Sequence, residues 1–350
     1  MAINLPKVNI IIVTYNFYDF TRKCLASLFQ STYENIEIIL VDNGSEESIY
    51  QEFFDQYKSN PKIKFVRSEV NLGFGGGCNL GAEEVKEGYV VFLNNDTEVA
   101  RGWLEPIISY MEAHQDVGAC QPKLLDLRKK NYFEYAGAAG GYMDVYGYPF
   151  CRGRIFYTVE EDRGQYDSIV DLVWCSGTAL VTKKEILDKV GYFDETFFMY
   201  GEEADLCWRM NRAGYRLVFI PGSVVYHYGM GTMEKNSSYQ KIFYLHRNGL
   251  ILLFKNYSGY QLLRFFPTRI ILDFVAFWYY LYTYPLNSLS IIRAYFSFFV
   301  LWPRILKQRK IKNGDSNKKI KSVYPLYPKS IILEYFIFQR KKFSEIFKII

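Results

Sequence analysis

The chain has 350 residues, is 49% hydrophobic and carries a formal net charge of +5. This composition is typical of a globular protein with a sizeable core and excludes a disordered chain. The charge is uneven, because residues 1–260 hold 26 Lys and Arg against 33 Asp and Glu, whereas residues 261–350 hold 16 against 4. We therefore expect an acidic body that does not bind nucleic acid, and a basic tail that meets a different partner, such as anionic lipid.

Short apolar runs alternate with segments of helical periodicity along the first half of the chain. Strands are expected at Val8–Thr14, Ile36–Val41, Ile63–Val66 and Val90–Leu93, and helices at Asp19–Gln30, Glu47–Tyr57 and Asn79–Glu87. This order predicts an α/β fold with a mostly parallel central sheet and helices on both faces.

The second half is less regular. We expect a helix at 101–113, a strand at Val117–Pro122, an irregular surface excursion with short hairpins at 131–163, a strand pattern over Val170–Val181, helices at Lys183–Val190 and Leu206–Ala213, a strand at Arg216–Ile220 and a further apolar run ending at Tyr228.

The strand ending at Leu93 is followed at once by Asn94, Asn95 and Asp96. In open α/β sheets this carboxyl edge is where ligands bind, and a hard carboxylate there suggests a divalent metal. The alternative is a simple Asn/Asp-rich turn.

Two other segments attract attention. The glycine cluster of 71–79 is expected to be a loop that opens a helix at about Asn79, where backbone N–H groups can approach a phosphate or base; an ordinary flexible loop is the alternative. Glu202, Glu203 and Asp205 crowd a helix start, which indicates either a capped, solvated N-terminus or a pocket wall.

Six ordered segments resemble the family 2 glycosyltransferases with the GT-A fold, particularly the bacterial rhamnosyl- and galactofuranosyl-transferase-like branch. They are IIIVTYN at 10–16, VDNGS at 41–45, NLGFGGGCN at 71–79, FLNNDTE at 92–98, WCSGTALV at 174–181 and GYFDETFFMYGEEADLCWR at 191–209. The resemblance covers about residues 7–250. It implies a hexosyltransferase that uses a nucleotide-sugar donor.

The resemblance also implies a donor site. Asp42 is similar to the carboxylate that hydrogen-bonds uracil or thymine, and Asn94 replaces the first member of the family's D-x-D motif, so Asn94 is expected to contact ribose rather than metal. The implied donor residues are Thr14, Tyr15, Asp42, Asn71, Gly73, Phe74, Gly77, Asn79, Asn94 and Asn95. The residues implied beneath the transferred sugar and the acceptor are Trp174, Cys175, Ser176 and Gly177. Arg247 could approach the donor phosphates; the alternative is that Arg247 has only a packing role.

The chemistry implied is inversion in one in-line displacement. Asp96 is the expected ligand of Mg²⁺ or Mn²⁺, and His227 is similar to the late histidine that completes the metal site, although an isolated histidine is more often only a hydrogen-bonding residue. Glu203 is the expected catalytic base, with Glu202 as the runner-up. Asp205 would orient the helix start or contact acceptor.

The tail is dense in aromatic residues from Leu262 to Trp302, and a basic run follows at Arg304, Lys307, Arg309, Lys310, Lys312, Lys318, Lys319 and Lys321. Its most apolar piece, Ile270–Pro285, contains Asp273 and is shorter than the roughly 20 apolar residues of a membrane-spanning helix. We expect helices that lie on the cytoplasmic leaflet; packing on the catalytic domain or at a homo-oligomer interface is the alternative. The predicted domains are 1–255, catalytic, and 256–350, a helical extension.

The sequence therefore predicts a peripheral membrane enzyme on the inner face of the plasma membrane. It would transfer a dTDP- or UDP-linked sugar, such as rhamnose, to a glycan or polyprenyl-linked acceptor in cell-surface polysaccharide synthesis. The scattered cysteines, without a C-x-x-C pair, and the missing secretory signal fit a cytoplasmic body. The alternative function is a catalytically silent nucleotide-sugar-binding or scaffold subunit.

Overall fold

A computed structural model describes residues 5–229, 238–314 and 326–347 of the chain. The first half contains β1 (Val8–Thr14), α1 (Tyr18–Leu28), β2 (Ile36–Asn43), α2 (Glu47–Tyr57), β3 (Ile63–Ser68), α3 (Gly73–Glu83), β4 (Tyr89–Asn94), β5 (Thr97–Val99), α4 (Leu104–Ala113) and β6 (Val117–Asp126). The four strands predicted before residue 95 are confirmed, as are the helices α1 and α2.

The second half contains β7 (Gly141–Met143), β8 (Pro149–Cys151), β9 (Arg154–Ile155), β10 (Thr158–Val159), β11 (Val170–Asp171), β12 (Ala179–Lys183), α5 (Lys184–Val190), α6 (Glu202–Arg212), β13 (Arg216–His227), α7 (Ser238–Asn256), α8 (Gly259–Thr283), α9 (Pro285–Gly314) and α10 (Phe343–Ile346). Leu333–Ile337 forms one π-helical turn.

The central sheet has the strand order β11-β13-β6-β12-β4-β1-β2-β3, with β5 paired to β13. The strands β1 to β4, β6 and β13 run in one direction, and β5, β11 and β12 run against them. Because Val13 pairs with Asn94 and Thr14 pairs with Asp42, the carboxyl ends of β1, β2 and β4 finish side by side. The predicted α/β class with a mostly parallel sheet is confirmed.

Helices cover both faces of this sheet because side chains alternate along each buried strand. Ile10 and Ile12 of β1 belong to one core, together with residues of α1 and α4. Ile11 belongs to the other core, together with residues of α3 and α6. Packing of the two cores against the sheet positions the polar carboxyl ends of its strands.

The glycine cluster is helical, so the predicted loop before Asn79 is wrong. Helix α3 begins at Gly73, whose positive φ of 75° a side chain would strain. A Cβ on Gly77 would lie 2.7 Å from Val13, and one on Gly81 would lie 2.5 Å from Ile11. The glycines therefore let α3 pack directly on β1.

Three further expectations are refined or corrected. The short hairpins expected in the excursion at 131–163 are present and form a four-stranded antiparallel sheet, β10-β9-β8-β7. The strand pattern over Val170–Val181 divides into β11 and β12, with a loop between them. Helix α6 begins at Glu202 rather than at Leu206, so the acidic residues occupy its first turn.

The tail forms a helical hairpin of α8 and α9 that packs on α7 and contacts the loop between β7 and β8. Asp273 of α8 is buried, and it accepts hydrogen bonds from Arg269 of α8, Tyr148 and Tyr295. Arg269 and Asp273 thus face the body of the protein. Of the predicted basic run, Lys318, Lys319 and Lys321 lie outside the described residues, as do the side chains of Lys310 and Lys312.

Candidate active site

A cavity of about 240 Å³ opens where the carboxyl ends of β1 and β4 meet the first turn of α6. Thirteen of the predicted site residues line it: Thr14, Tyr15, Asn71, Gly73, Phe74, Asn94, Asn95, Asp96, Ser176, Gly177, Glu202, Glu203 and His227. The cavity therefore gathers residues from distant parts of the chain, as the resemblance implies.

Asp96 and His227 meet at one side of this cavity. Oδ1 of Asp96 lies 2.9 Å from Nε2 of His227, and both side chains are almost fully buried. The backbone explains the pairing, because β5 directly follows Asp96 and runs antiparallel to β13, with Thr97 opposite His227. The amide nitrogen of Asn94 is 3.3 Å from the same imidazole nitrogen. Asn94 thus lies beside the expected metal ligands rather than apart from them.

Glu134 holds the other side of the imidazole. Its Oε1 lies 3.1 Å from Nδ1 of His227, although the contact is not aligned as a hydrogen bond, and its Oε2 accepts the N–H of Ala136 at 2.6 Å. Burial disfavours the charged imidazole, but the carboxylates of Asp96 and Glu134 outweigh that effect and raise the pKa of His227 well above 6.5. The ring lies between two carboxylates.

These residues fit a divalent cation that also binds a diphosphate. Asp96 offers a carboxylate oxygen, His227 offers Nε2 in its neutral form, and Glu134 stands behind the ring as the outer carboxylate of many metal-binding histidines does. In the part of the chain that the structure describes, no set of three His, Cys, Asp or Glu side chains is arranged to hold a metal by itself.

The two glutamates that begin α6 differ in their surroundings. Glu203 is half-buried at the cavity and accepts the N–H of Gly201 at 3.0 Å. Burial raises the pKa of the Glu203 carboxyl, although backbone N–H groups partly offset it. Glu202 is buried, its Oε2 lacks a hydrogen-bond partner among the described residues, and burial followed by the charge of Glu203 raises its pKa well above 4.5.

Asp205, predicted as a third catalytic residue, does not line the cavity. It is fully buried and forms ion pairs with Arg209 at 3.0 Å and Lys255 at 2.9 Å, while the amide of Asn256 donates to it at 3.2 Å. Successive side chains along an α-helix point about 100° apart. The side chain of Asp205, two positions after Glu203, therefore faces the core. The geometry gives Asp205 the role of fixing α6 against α7.

Polar side chains also order the donor side of the cavity. The amide nitrogen of Asn95 donates to Thr21 at 3.1 Å and lies 3.3 Å from the hydroxyl of Thr14. Asn43 accepts the N–H of Leu72 and donates to the carbonyl of Gly73, both at 3.0 Å. Asn43 lines the cavity and was missed by the sequence analysis, although it lies inside the VDNGS segment.

Five other predicted residues lie behind the cavity wall. Asp42 is fully buried and accepts hydrogen bonds from Tyr18 at 2.8 Å and Arg67 at 3.1 Å. Gly77 packs against β1, and the side chain of Asn79 accepts the N–H of Phe193. The indole of Trp174 donates to the carbonyl of Tyr142, and the N–H of Cys175 donates to the sulfur of Cys207. None of the five lines the cavity.

Arg247, expected near the donor phosphates, is also buried. Its guanidinium donates to the carbonyls of Thr196 at 3.1 Å and Phe197 at 2.7 Å. These carbonyls belong to the segment just before Glu202, so Arg247 holds that segment in place. This geometry fits the alternative that Arg247 has a packing role.

The segment from Glu134 to Ala136 also lines the cavity and was missed. No periodicity or motif marks it, because it lies in the excursion that looked irregular. Its position comes from pairing, since the N–H of Glu134 donates to Leu124 of β6 at 2.9 Å. Only the neighbouring strand brings Glu134 to His227.

The description "Glycosyl transferase family 2" belongs to the family model that matches residues 9–190, slightly more than half of the chain. The chain belongs to this family. As a family 2 glycosyltransferase it is an enzyme, and most of the residues that line the cavity described above lie within the matched segment.

Two relatives of this glycosyltransferase carry rhamnosyltransferase names. An N-acetylglucosaminyl-diphospho-decaprenol L-rhamnosyltransferase of Mycobacterium tuberculosis is 25% identical over 72% of this chain and 85% of its own length. The rhamnosyltransferase WbbL of Escherichia coli K12 is 26% identical over 68% of this chain and 89% of its own length.

Solved structures support the GT-A fold. GalNAc-T7 with UDP, GalNAc and Mn²⁺ matches with a TM-score of 0.59 at 18% identity, over 74% of this chain and 49% of that longer chain. The mannosyltransferase PcManGT from Pyrobaculum calidifontis, with GDP-Man and Mn²⁺, matches with a TM-score of 0.51 at 16% identity, over 90% of this chain and 89% of that one. At these identities the likeness concerns the fold.

Proposed function

We propose that this glycosyltransferase carries out an inverting, metal-dependent transfer of a sugar from a dTDP- or UDP-linked donor, such as rhamnose, to a glycan or polyprenyl-linked acceptor. The observation that carries the proposal is one cavity that holds both the Asp96–His227 pair and the partly exposed carboxylate of Glu203. The two rhamnosyltransferase relatives favour a deoxyhexose donor.

The donor would be held on the β1–β4 side. Thr14, Tyr15, Asn43, Asn71 and Asn95 offer hydroxyl, ring and amide groups to the nucleoside. Asp96 and His227 would hold Mg²⁺ or Mn²⁺, and the bound ion supplies a positive charge that stabilises the departing diphosphate. Asp42, Gly77 and Asn79 keep the neighbouring backbone in place from behind.

The acceptor would enter from the α6 side, over Ser176 and Gly177. Its hydroxyl oxygen attacks the anomeric carbon as the bond to the diphosphate breaks, and the hydroxyl proton passes to Glu203. A carboxylate with a pKa raised by burial suits this task, because it holds the proton more strongly than an ordinary glutamate at the surface. The runner-up, Glu202, is more deeply buried, so Glu203 is the better base.

We assign catalysis to residues 1–255 and membrane attachment to residues 256–350, so that the enzyme works as a peripheral protein on the cytoplasmic face of the plasma membrane in cell-surface polysaccharide synthesis. A polyprenyl-linked acceptor would explain why a sugar transferase carries a basic, aromatic tail.

The test is a screen of nucleotide sugars with Mn²⁺ and polyprenyl-diphosphate-linked acceptors, followed by Glu203→Gln. We expect this variant to lose transfer by at least about 10²-fold, since general-base catalysis contributes roughly 10²–10⁴-fold. Donor binding should be unchanged. Glu185→Gln is the matched control, because Glu185 also lies in the first turn of a helix but outside the cavity.

Wild-type turnover in Glu203→Gln would overturn the assignment of the base. The silent-subunit alternative is tested by the same assay without acceptor, because a silent protein should bind a donor and release no nucleoside diphosphate with Mn²⁺.

A further inference from the structure

Large apolar side chains are exposed mainly in one part of the described structure. Most of them lie on α8, on α9 and on the segment Leu333–Phe338, and few lie on the catalytic body. Monomeric soluble proteins rarely expose contiguous apolar surface on this scale, so it indicates a binding surface.

The exposed side chains form one stripe along each helix. On α8 they are Tyr260, Leu263, Ile270, Ile271, Phe274, Val275, Trp278, Tyr279, Leu281 and Tyr282, and on α9 they are Leu286, Leu289, Ile292, Phe296, Phe299 and Val300. Steps of three and four residues keep these positions on one side of a helix. We call the two stripes together the outer face.

The opposite sides of the same helices are fastened to the protein. Asp273 contacts Arg269, His246, Tyr148 and Tyr295, which joins α8 to α7, to α9 and to the small sheet. Both Arg269 and Asp273 are buried. This buried ion pair explains how a helix with two charges near its middle still shows an uninterrupted apolar stripe outward.

The charges that accompany the outer face have one sign. Arg264, Arg304 and Lys307 are exposed along the two helices, and Asp273 is the sole acidic residue between Gly259 and Arg309. An apolar stripe rich in Tyr, Trp and Phe and bordered by Lys and Arg is the pattern of a helix that lies in a membrane interface.

We propose that the outer face of α8 and α9 binds the surface of an anionic lipid bilayer, with both helices lying in the plane of the interface. This inference deepens the proposed function by naming the surface that would hold the enzyme at the membrane. It rests on the proposed function only for the reason why the enzyme binds a membrane. The aromatic rings enter the boundary between headgroups and acyl chains, while the basic side chains meet lipid phosphates.

A lipid surface fits better than a second copy of the chain. In a two-fold symmetric dimer the same patch would meet itself, so that Arg264, Arg304 and Lys307 would approach cations and find no carboxylate on the facing helices. Anionic headgroups supply the missing negative charge.

An in-plane position also fits better than a crossing. Pro285–Arg309 is, among the described residues, the one stretch long and apolar enough to span a membrane by length and composition. However, Ser290 donates to the carbonyl of Tyr239 at 2.8 Å, Tyr295 donates to Asp273, and Trp302 packs on Phe254 at 4.2 Å between ring centroids. A crossing helix would have to give up these contacts with the body.

The outer face adjoins the mouth of the active-site cavity. Tyr280 of α8 hydrogen-bonds Tyr157, and the neighbouring Tyr135 lines the cavity. A bilayer against the outer face would therefore bring membrane-held acceptors next to the cavity.

Co-sedimentation with vesicles tests the inference, with phosphatidylcholine alone compared with a mixture that contains phosphatidylglycerol. We expect the full-length protein to bind the mixture more tightly. A triple variant, Phe274→Ser, Trp278→Ser and Phe296→Ser, should lose at least about tenfold in binding, because each ring removes an exposed apolar group from the interface. The matched control is Ile169→Ser, which removes an exposed apolar side chain from the catalytic body.

A second variant examines the charges without changing the apolar stripe. Arg304→Gln with Lys307→Gln should weaken binding to the anionic vesicles by about tenfold or more and leave the weak binding to phosphatidylcholine unchanged. Equal sedimentation of wild type, triple variant and control would overturn the proposal. So would a wild-type dimer in analytical ultracentrifugation that the triple variant converts to monomer.

The Glu203→Gln variant separates this inference from the proposed function. It should bind vesicles as wild type does while lacking transfer. Vesicle binding without any glycosyl transfer would contradict only the proposed function, and transfer to a soluble acceptor without vesicle binding would contradict only the membrane surface.

Discussion

Oε1 of Glu134 lies 3.1 Å from Nδ1 of His227, on the side of the imidazole opposite Asp96. In the proposed metal site, a carboxylate in that position would favour a proton on Nδ1, so that Nε2 would be the nitrogen that binds a cation. Glu134 would in this way support the metal-binding role proposed for His227. It also gives Glu134 a role that its own sequence neighbourhood does not show.

Glu134→Gln should therefore weaken Mn²⁺ binding by about 10- to 100-fold, which is typical of the loss of an outer carboxylate behind a metal-binding histidine. Mn²⁺ titration followed by electron paramagnetic resonance, in the presence of nucleoside diphosphate, measures this directly. Glu161→Gln is the control, because Glu161 forms a surface ion pair with Arg163. Unchanged Mn²⁺ affinity in Glu134→Gln would show that the contact is only structural.

The second prediction concerns the pH dependence of transfer. A base must be ionised to accept a proton, and burial raises the pKa of Glu203 above its ordinary 4.5. As pH falls through that raised pKa, kcat/KM should drop about tenfold per pH unit, so the acidic limb should begin at a higher pH than for an exposed glutamate.

The pH–rate profiles of wild type and Glu203→Asp should both show this limb. Any residual transfer by Glu203→Gln should lack it. The same limb in Glu203→Gln would assign the titration to another group and remove the support for Glu203 as the base.

The third prediction concerns Glu202 and folding stability. Its carboxylate is buried, and burial and the neighbouring Glu203 charge raise its pKa well above 4.5. A carboxyl group whose pKa is higher in the folded than in the unfolded protein favours folding below the unfolded pKa, and that contribution is lost as pH rises through the folded pKa. Glu202→Gln should therefore raise Tm at pH 8 and change it much less at pH 5.

We expect a gain of about 1–2 kcal/mol at pH 8 from the removal of one poorly compensated buried charge. Differential scanning calorimetry at both pH values measures it. Glu185→Gln, at an exposed position, should show no such pH dependence. If Glu202→Gln gained the same stability at both pH values, the titration of Glu202 would not be the cause of the gain.

Much of the catalytic half could be predicted because its signals are local. A run such as Val90–Leu93, buried on both faces and followed by polar residues, fixes both the strand and the edge at which Asn94 and Asp96 emerge. The family resemblance then adds the order of the motifs. Neither signal depends on distant contacts.

The misplaced residues have a common physical cause. The glycines of α3 looked like a loop because their low helix propensity is a local property, whereas their contact with Val13 and Ile11 is not. Asp205 and Asp42 were assigned to the donor and acceptor sites from the family resemblance, but their ion-pair partners Lys255 and Arg67 hold them behind the cavity. Glu134 was missed because its contact with His227 joins distant parts of the chain.

The last prediction concerns the buried ion pair that fastens the outer face to the protein. Asp273→Asn leaves Arg269 buried beside a neutral amide and weakens the hydrogen bonds from Tyr148 and Tyr295. Breaking a buried pair by neutralising one partner costs about 3–5 kcal/mol. We expect a lower Tm and earlier proteolysis of the α8–α9 hairpin in limited digestion with trypsin.

Tyr148→Phe is the matched comparison, because it removes one hydrogen bond to the same carboxylate and leaves the charges paired. It should cost only about 0.5–1.5 kcal/mol. If Asp273→Asn were no more destabilising than Tyr148→Phe, the ion pair would not be what holds α8 in place. The apolar contacts of the inner side, such as Phe254 of α7 with Phe298 of α9, would then be sufficient to keep the hairpin on the body.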